Sequence, residues 1–182
     1  MDINDLADEI DEVLIDEESL QVRVQELADQ ISEDYRGEDL LFVGVLKGAV
    51  MVMADLARAL PFSVEMDWMA VASYGGRKSS GVVRILKDLD VDVAGRHVLV
   101  VEDIVDSGLT LSWLMRNLSS RGPASLEICA MVSKPEAAKV EFDIKYIGFE
   151  VPDEFVVGYG LDYRQRYRNL RQIATLKPNV YE

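Results

Sequence analysis

The chain alternates between short apolar runs and longer stretches whose apolar residues recur every three or four positions. Leu40 to Leu46, His97 to Val101 and Leu126 to Ser133 are the runs. Their length and β-branched content suit strands buried on both faces of a parallel sheet. Ser19 to Tyr35 carries apolar residues at 20, 24, 27 and 31, and Leu109 to Leu118 carries them at 111, 114, 115 and 118, the stripes of amphipathic helices. Ala49 to Leu60 reads as a further helix, stopped by Pro61. Val64 to Ser73 reads as a long strand and Val82 to Lys87 as a short one. Others are expected near Ile144 to Phe149, Phe155 to Val157 and Gln172 to Leu176. Strand and helix alternate, which predicts an α/β fold with a central, mainly parallel β-sheet flanked by helices. No repeat or linker interrupts the pattern, so a single domain over residues 1–182 is expected.

Composition narrows the function. A chain of 182 residues, 49% apolar, can bury a stable core unaided. Charges break its apolar runs well short of a membrane span, and its first 18 residues are acidic where a signal peptide would be basic and then apolar. A cytoplasmic protein with no membrane partner is expected. The net charge of −14 argues against a nucleic-acid partner held through a broad basic face. Nine acids precede residue 19, and this tract, 1–18, is expected to be solvated and partly frayed, with no function assigned. Cys129 is the only cysteine, which excludes an internal disulfide and a cysteine metal cluster; it reads as a small core residue. The single histidine, His97, opens a strand at the surface, which disfavours a histidine base.

The densest chemistry lies in Val98-Leu-Val-Val-Glu-Asp-Ile-Val-Asp-Ser-Gly-Leu-Thr110, where an apolar strand runs into two acids, a third acid and a small-residue turn that opens a helix. Backbone N–H groups at a helix N-terminus are unpaired, and the helix dipole is positive there. Ser107, Gly108, Leu109 and Thr110 therefore form a candidate phosphate cradle, with two hydroxyls as added donors and a glycine that permits close approach. Glu102 and Asp103 fall at the carboxyl end of the strand, where such sheets place their ligands. Carboxylates there suit ribose hydroxyls or magnesium. A plain strand–turn–helix, with Asp106 merely capping the helix, uses the same residues.

The whole string resembles the phosphoribosyl-pyrophosphate signature of the type I phosphoribosyltransferases, and among them is most similar to the hypoxanthine-guanine enzymes. Four further motifs, in order between about Leu40 and Leu170, carry the same resemblance. Val45-Leu46-Lys47-Gly48 is by its own chemistry a helix-opening turn with one lysine, solvated or facing an anion; the resemblance implies that Leu46, Lys47 and Gly48 contact pyrophosphate and that Leu46–Lys47 is a cis peptide. Ser73-Tyr74-Gly75 opens a polar, glycine-rich segment that would pass for a hairpin loop. The resemblance makes it a flexible lid that excludes water from the reaction. Lys134 ends a strand in Ala130-Met-Val-Ser-Lys-Pro135, and the resemblance makes it the donor to the exocyclic oxygen of a 6-oxopurine, disfavouring adenine. Val151-Pro-Asp-Glu-Phe-Val-Val-Gly-Tyr-Gly-Leu-Asp-Tyr163 reads on its own as a short strand closed by glycines, with Phe155 a core aromatic. By resemblance Phe155 stacks on the purine, Val156 meets it through its backbone, and Asp162 lies near the base. Arg168 faces pyrophosphate. After Lys134 the family commonly carries arginine, whereas this chain has Pro135-Glu-Ala-Ala-Lys139, so that one pyrophosphate contact is either missing or supplied by Lys139.

The resemblance also implies a small C-terminal hood over about residues 134–182 that selects the base. It implies Mg2+ at Glu102, Asp103 and Asp162, and a homodimer or homotetramer. The implied reaction is purine salvage, with transfer of the 5-phosphoribosyl group from phosphoribosyl pyrophosphate to N9 of hypoxanthine or guanine. Asp106 is the candidate general base. Two alternatives keep part of this reading: a xanthine-preferring enzyme, and a non-catalytic nucleotide- or RNA-binding regulator on the same fold.

Overall fold

The computed structural model describes residues 3–74, 82–140 and 143–181. After a short 3-10 turn at Ile3–Leu6, the chain forms β1 (Ile10–Ile15), α1 (Glu17–Asp34), β2 (Leu40–Leu46), α2 (Val50–Ala59), β3 (Glu65–Tyr74), β4 (Val82–Lys87), β5 (His97–Val105), α3 (Leu109–Ser119), β6 (Ser125–Ser133), β7 (Tyr146–Glu150), β8 (Val156–Val157), β9 (Ile173–Leu176) and α4 (Pro178–Tyr181). Six strands build the main sheet in the order β4-β3-β2-β5-β6-β7. All neighbours are parallel except β3 and β4, which pair as an antiparallel hairpin.

The expected apolar runs are the central strands, and they are buried on both faces because helices cover both. On one face α1 and α2 pack Leu20, Leu27, Ile31, Met53 and Leu56 against Phe42, Leu99 and Cys129. On the other, Leu111, Leu114 and Leu118 of α3 pack against Val43, Val98, Val100 and Ile128. Cys129 is fully buried, and burial pushes its thiol up to about 12, so it is a core residue and no nucleophile. Among the described residues no helix is long and apolar enough to cross a membrane.

The acidic N-terminal tract departs from expectation. Instead of fraying, Ile10–Ile15 pairs antiparallel with β9, and β9 pairs with β8, giving a separate three-stranded sheet. The hood is therefore built from both ends of the chain. Two forces order the tract. Ile10 and Ile15 are buried while Asp11 and Glu12 point outward, and Asp16 caps α1 by accepting from the Ser19 N–H at 2.7 Å. Glu9 accepts from the Tyr167 hydroxyl, which ties the tract to the hood a second time.

The β3–β4 hairpin is pinned at its root by buried Asp67. Its carboxylate accepts backbone N–H groups of Trp68 at 2.7 Å, Asp90 at 2.7 Å and Val91 at 3.2 Å, and it faces Lys87. Desolvation raises the carboxyl's pKa, but these donors outweigh it and hold the group below its ordinary value. A depressed pKa contributes stability above about pH 4 that is lost as pH falls through the folded value. Replacing Asp67 with alanine is expected to lower the melting midpoint by about 4–8 °C at neutral pH. The gap to wild type should narrow on acidification below about pH 4, as thermal melts across a pH series would show; a gap that stays constant would remove Asp67 from this role.

Candidate active site

Parallel pairing brings the carboxyl ends of β2, β5 and β6 to one edge of the sheet. Each ends in a turn that bears predicted site residues. β5 runs four residues beyond the expected end of its apolar run, to Val105, so Glu102 and Asp103 lie within the strand. The Lys134 N–H donates to the Val105 carbonyl at 2.9 Å, which fixes the last turn against the middle one.

At the start of α3, Gly108 takes the left-handed conformation with φ of 73° and no side chain caps the helix. The reading of Asp106 as a simple cap is thereby set aside; its side chain is exposed. A cavity of about 220 Å³ opens here, lined by Glu102, Asp106, Ser107, Gly108 and Thr110 among others. The Leu109 side chain is 43% exposed, so this residue can offer the cradle only its backbone. Lys139 is anchored at the same turn, its N–H donating to the Ser107 carbonyl at 3.0 Å.

The strand pleat sends the two adjacent acids to opposite sides. Glu102 lines the cavity at α3. Asp103 lies against the Leu46–Lys47–Gly48 turn so closely that a Cβ on Gly48 would fall 1.6 Å from its Oδ2. The same turn is met from the hood side, where a Cβ on Gly160 would lie 2.0 Å from the Gly48 carbonyl. Only glycines allow the three segments to touch, and the Leu46–Lys47 peptide between them is cis, as expected. Burial, and then the charge of Asp103, push Glu102 well above the ordinary carboxyl range. Burial also pushes Asp103 up to about 6, against the pull of the Ile104 N–H and Arg168.

Lys47 and Arg168, far apart in sequence, share one partner. Lys47 Nζ donates to Gln165 Oε1 at 3.0 Å, and Arg168 Nη2 donates to the same oxygen at 3.3 Å. Arg168 also donates to the Gly160 carbonyl at 2.6 Å and pairs with Asp162 at 2.7 Å. Asp162 further accepts the Gln165 N–H at 2.8 Å. The expected metal set of Glu102, Asp103 and Asp162 does not close. The pleat parts the first two, Asp162 is engaged by Arg168, and among the described residues no three acidic, histidine or cysteine side chains gather to hold an ion. One or two carboxylates completed by substrate oxygens and water remain, which is the usual donor set of magnesium.

On the hood side Lys134 is buried, with its Nζ donating to the Glu154 carbonyl and 3.8 Å from Asp153. Phe155 follows directly and is 41% exposed, no core aromatic. The Val156 side chain is buried, and its strand pairs with β9 at Thr175, leaving the backbone as its contribution to a site. A cavity of about 520 Å³ beside Lys134 is lined by Asp106, Lys134, Ile144 and Ile147 among others, but neither Phe155 nor Asp162 lines it. Ser73 and Tyr74 end β3, while Gly75 lies outside the described residues.

Gln165 is the site residue that the sequence did not reveal. It has a left-handed backbone, φ 66°, in a loop where Tyr159, Arg164 and Tyr167 do too. Such conformations cost about 1–3 kcal/mol each in non-glycine residues and cluster at functional sites. Nothing in the residue types announces them.

Such a fold and site define a phosphoribosyltransferase: the sequence profile of the phosphoribosyl transferase domain matches residues 10–164, and the chain belongs to that family. Its similarity falls within one branch. It is 56% identical over 181 residues to the hypoxanthine-guanine phosphoribosyltransferase of Mycobacterium tuberculosis, covering 96% of this chain and 90% of that protein. The enzyme of the same name from Bacillus subtilis is 50% identical over 175 residues, with 96% and 97% covered. A crystal structure of a hypoxanthine phosphoribosyltransferase from Staphylococcus aureus superposes with a TM-score of 0.94 at 46% identity, covering 97% of each chain.

Setting a half-buried Asp103 beside the buried Glu102 costs stability. A carboxyl whose pKa rises to about 6 on folding favours the folded state at low pH and loses that benefit as pH climbs from about 4 through 6. Asp103→Asn, which cannot ionise, is expected to raise the melting midpoint of the metal-free protein by about 2–5 °C at pH 7.5 and to leave it nearly unchanged near pH 4. Calorimetry at the two pH values checks this, and a destabilised variant at pH 7.5 would refute it.

Proposed function

We propose that this chain transfers the 5-phosphoribosyl group of phosphoribosyl pyrophosphate to N9 of hypoxanthine or guanine, giving IMP or GMP and pyrophosphate, in cytoplasmic purine salvage. One observation carries the reading. Two candidate anion sites, the cradle at the start of α3 and the Lys47–Arg168 pair, flank two carboxylates at the same sheet edge. A ribose with phosphate at C5 and pyrophosphate at C1 has that polarity: anion, hydroxyls, anion. The identity to enzymes named for hypoxanthine and guanine supports the base.

In this reading Ser107 to Thr110 hold the 5′-phosphate through backbone N–H groups and hydroxyls. Glu102 and Asp103 take the ribose hydroxyls, and Lys47, Gly48 and Arg168 take the pyrophosphate, with Leu46 setting the turn. Arg168 suits the leaving group because its planar fork can exchange Asp162 and Gln165 for phosphate oxygens. Magnesium, when bound, supplies charge neutralisation for the diphosphate, and Asp103 with Asp162 on one side and Glu102 on the other are the residues available to it. Bond breaking at C1 builds positive charge on the sugar, which the two acids are placed to stabilise. Exposed Asp106 accepts the N7 proton as N9 bonds to the sugar. Lys134 donates to the 6-oxo group, and Phe155 gives the base a stacking surface, with the Val156 backbone beside it. Ser73 to Gly75 begin the lid. A homodimer or homotetramer is the expected assembly.

With phosphoribosyl pyrophosphate and magnesium, the protein is expected to convert hypoxanthine and guanine and to leave adenine nearly untouched; turnover of xanthine alone would overturn the base assignment, and turnover of none would overturn the reaction. Asp106→Asn is expected to lower kcat by about 10²- to 10⁴-fold with the donor KM little changed. Equal loss in both parameters would move Asp106 from base to binding residue.

A further inference from the structure

Phe155 is an exposed aromatic side chain, yet two other aromatic rings hold it. Tyr181, in α4, stacks on it with ring centroids 5.4 Å apart and planes 25° apart. Tyr163 meets it edge-on at 5.7 Å and 87°. Both geometries fall in the favourable range for aromatic pairs. The stacked Tyr181 ring covers one face of Phe155, and 41% of the residue still stays exposed.

We propose that Tyr181 is a positioning residue for the purine base: it braces the back of Phe155 and holds the open face ready for stacking. The proposal rests on Phe155 being the base platform. The need for a brace is physical. Phe155 precedes β8 and follows the irregular segment 151–154, so no ladder of strand hydrogen bonds fixes it. An unbraced ring samples several rotamers, and base binding must then bear the entropy of selecting one. A braced ring has already lost that freedom.

The brace is itself anchored. Val180 packs against the hood cluster of Ile10, Val157, Leu170 and Leu176, and its N–H donates to the Lys177 carbonyl at 2.9 Å. Lys177 bonds to the N-terminal segment twice, through its N–H to the Glu9 carbonyl at 2.9 Å and its Nζ to the Ala7 carbonyl at 2.7 Å. The acidic tract thereby gains a role, as the support of the helix that presents Tyr181. A base affinity set by residues 177–181 is one that the hood can tune without altering the donor site.

Steady-state kinetics of Tyr181→Ala, Tyr181→Phe and Phe155→Ala, with hypoxanthine and phosphoribosyl pyrophosphate varied separately, test this. Tyr181→Ala is expected to raise the KM for hypoxanthine by about 3- to 10-fold, with kcat and the donor KM within about twofold of wild type, and Tyr181→Phe is expected to restore the base KM because the ring is what braces. An unchanged hypoxanthine KM in Tyr181→Ala, beside a raised one in Phe155→Ala, overturns the brace and leaves the platform standing. A lowered hypoxanthine KM also overturns it, because Tyr181 would then be occupying the place of the base. Donor KM rising in step with base KM reduces Tyr181 to a structural residue. If Phe155→Ala itself leaves the base KM unchanged, the platform and the brace fall together.

Discussion

Two adjacent carboxyls at the end of a buried strand are the constraint around which this structure is arranged. Glu102 and Asp103 would repel at close range on any surface, and burial removes the water that would screen them. The pleat of β5 offers the one relief available to neighbours in a strand, which is to face opposite ways. That solution dictates what lies on either side. Glu102 faces the α3 cavity, and the Lys47–Gly48 turn comes so close to Asp103 that a side chain at residue 48 is impossible. Burial leaves both acids above the ordinary carboxyl range, and hydroxyl donors are the partners that suit them.

The hood answers the same constraint from above. Arg168 acts on Asp103 through its charge, from a loop over 158–170 that folds back on itself through four non-glycine residues in left-handed conformation. A loop so disposed needs support, and the three-stranded sheet supplies it by joining the N-terminal strand to the C-terminal one. The reading that gives residues 1–18 no structural role misses this because nine acids dominate the tract. Its buried anchors at 10 and 15, with Leu14 half-buried, are spaced irregularly, and the pairing of β1 with β9 slips register between them. Neither a period of two nor of 3.6 is present to be recognised, and the partner strand lies at the opposite end of the chain.

The main sheet was readable for the opposite reason. Its strands are buried on both faces and so are continuously apolar, and its helices bury one face and so show a stripe; local composition and local structure agree. The site was readable at the turns, where Gly48 and Asp106 to Thr110 have residue types that chemistry demands. What stayed hidden were contacts between turns. Gln165 joins Lys47 to Arg168 across more than a hundred residues, and a glutamine in a polar loop carries no mark of that. The disposition of the three acids was hidden likewise, since only the fold shows the pleat that turns Glu102 and Asp103 apart and the salt bridge that Asp162 makes with Arg168.

Donor and base are thus held by machinery of different origin within the proposed reaction. The donor side is made by strand ends of the main sheet, where parallel pairing fixes positions and glycine contacts leave little tolerance. The base side is made by Lys134 at the border and by a hood that leans on the chain termini. Changes in the first would disturb the buried acids at once, whereas changes in the second act through one exposed ring and its neighbours. Selectivity among 6-oxopurines can therefore drift, by repacking around Phe155, while the chemistry at the anomeric carbon stays fixed.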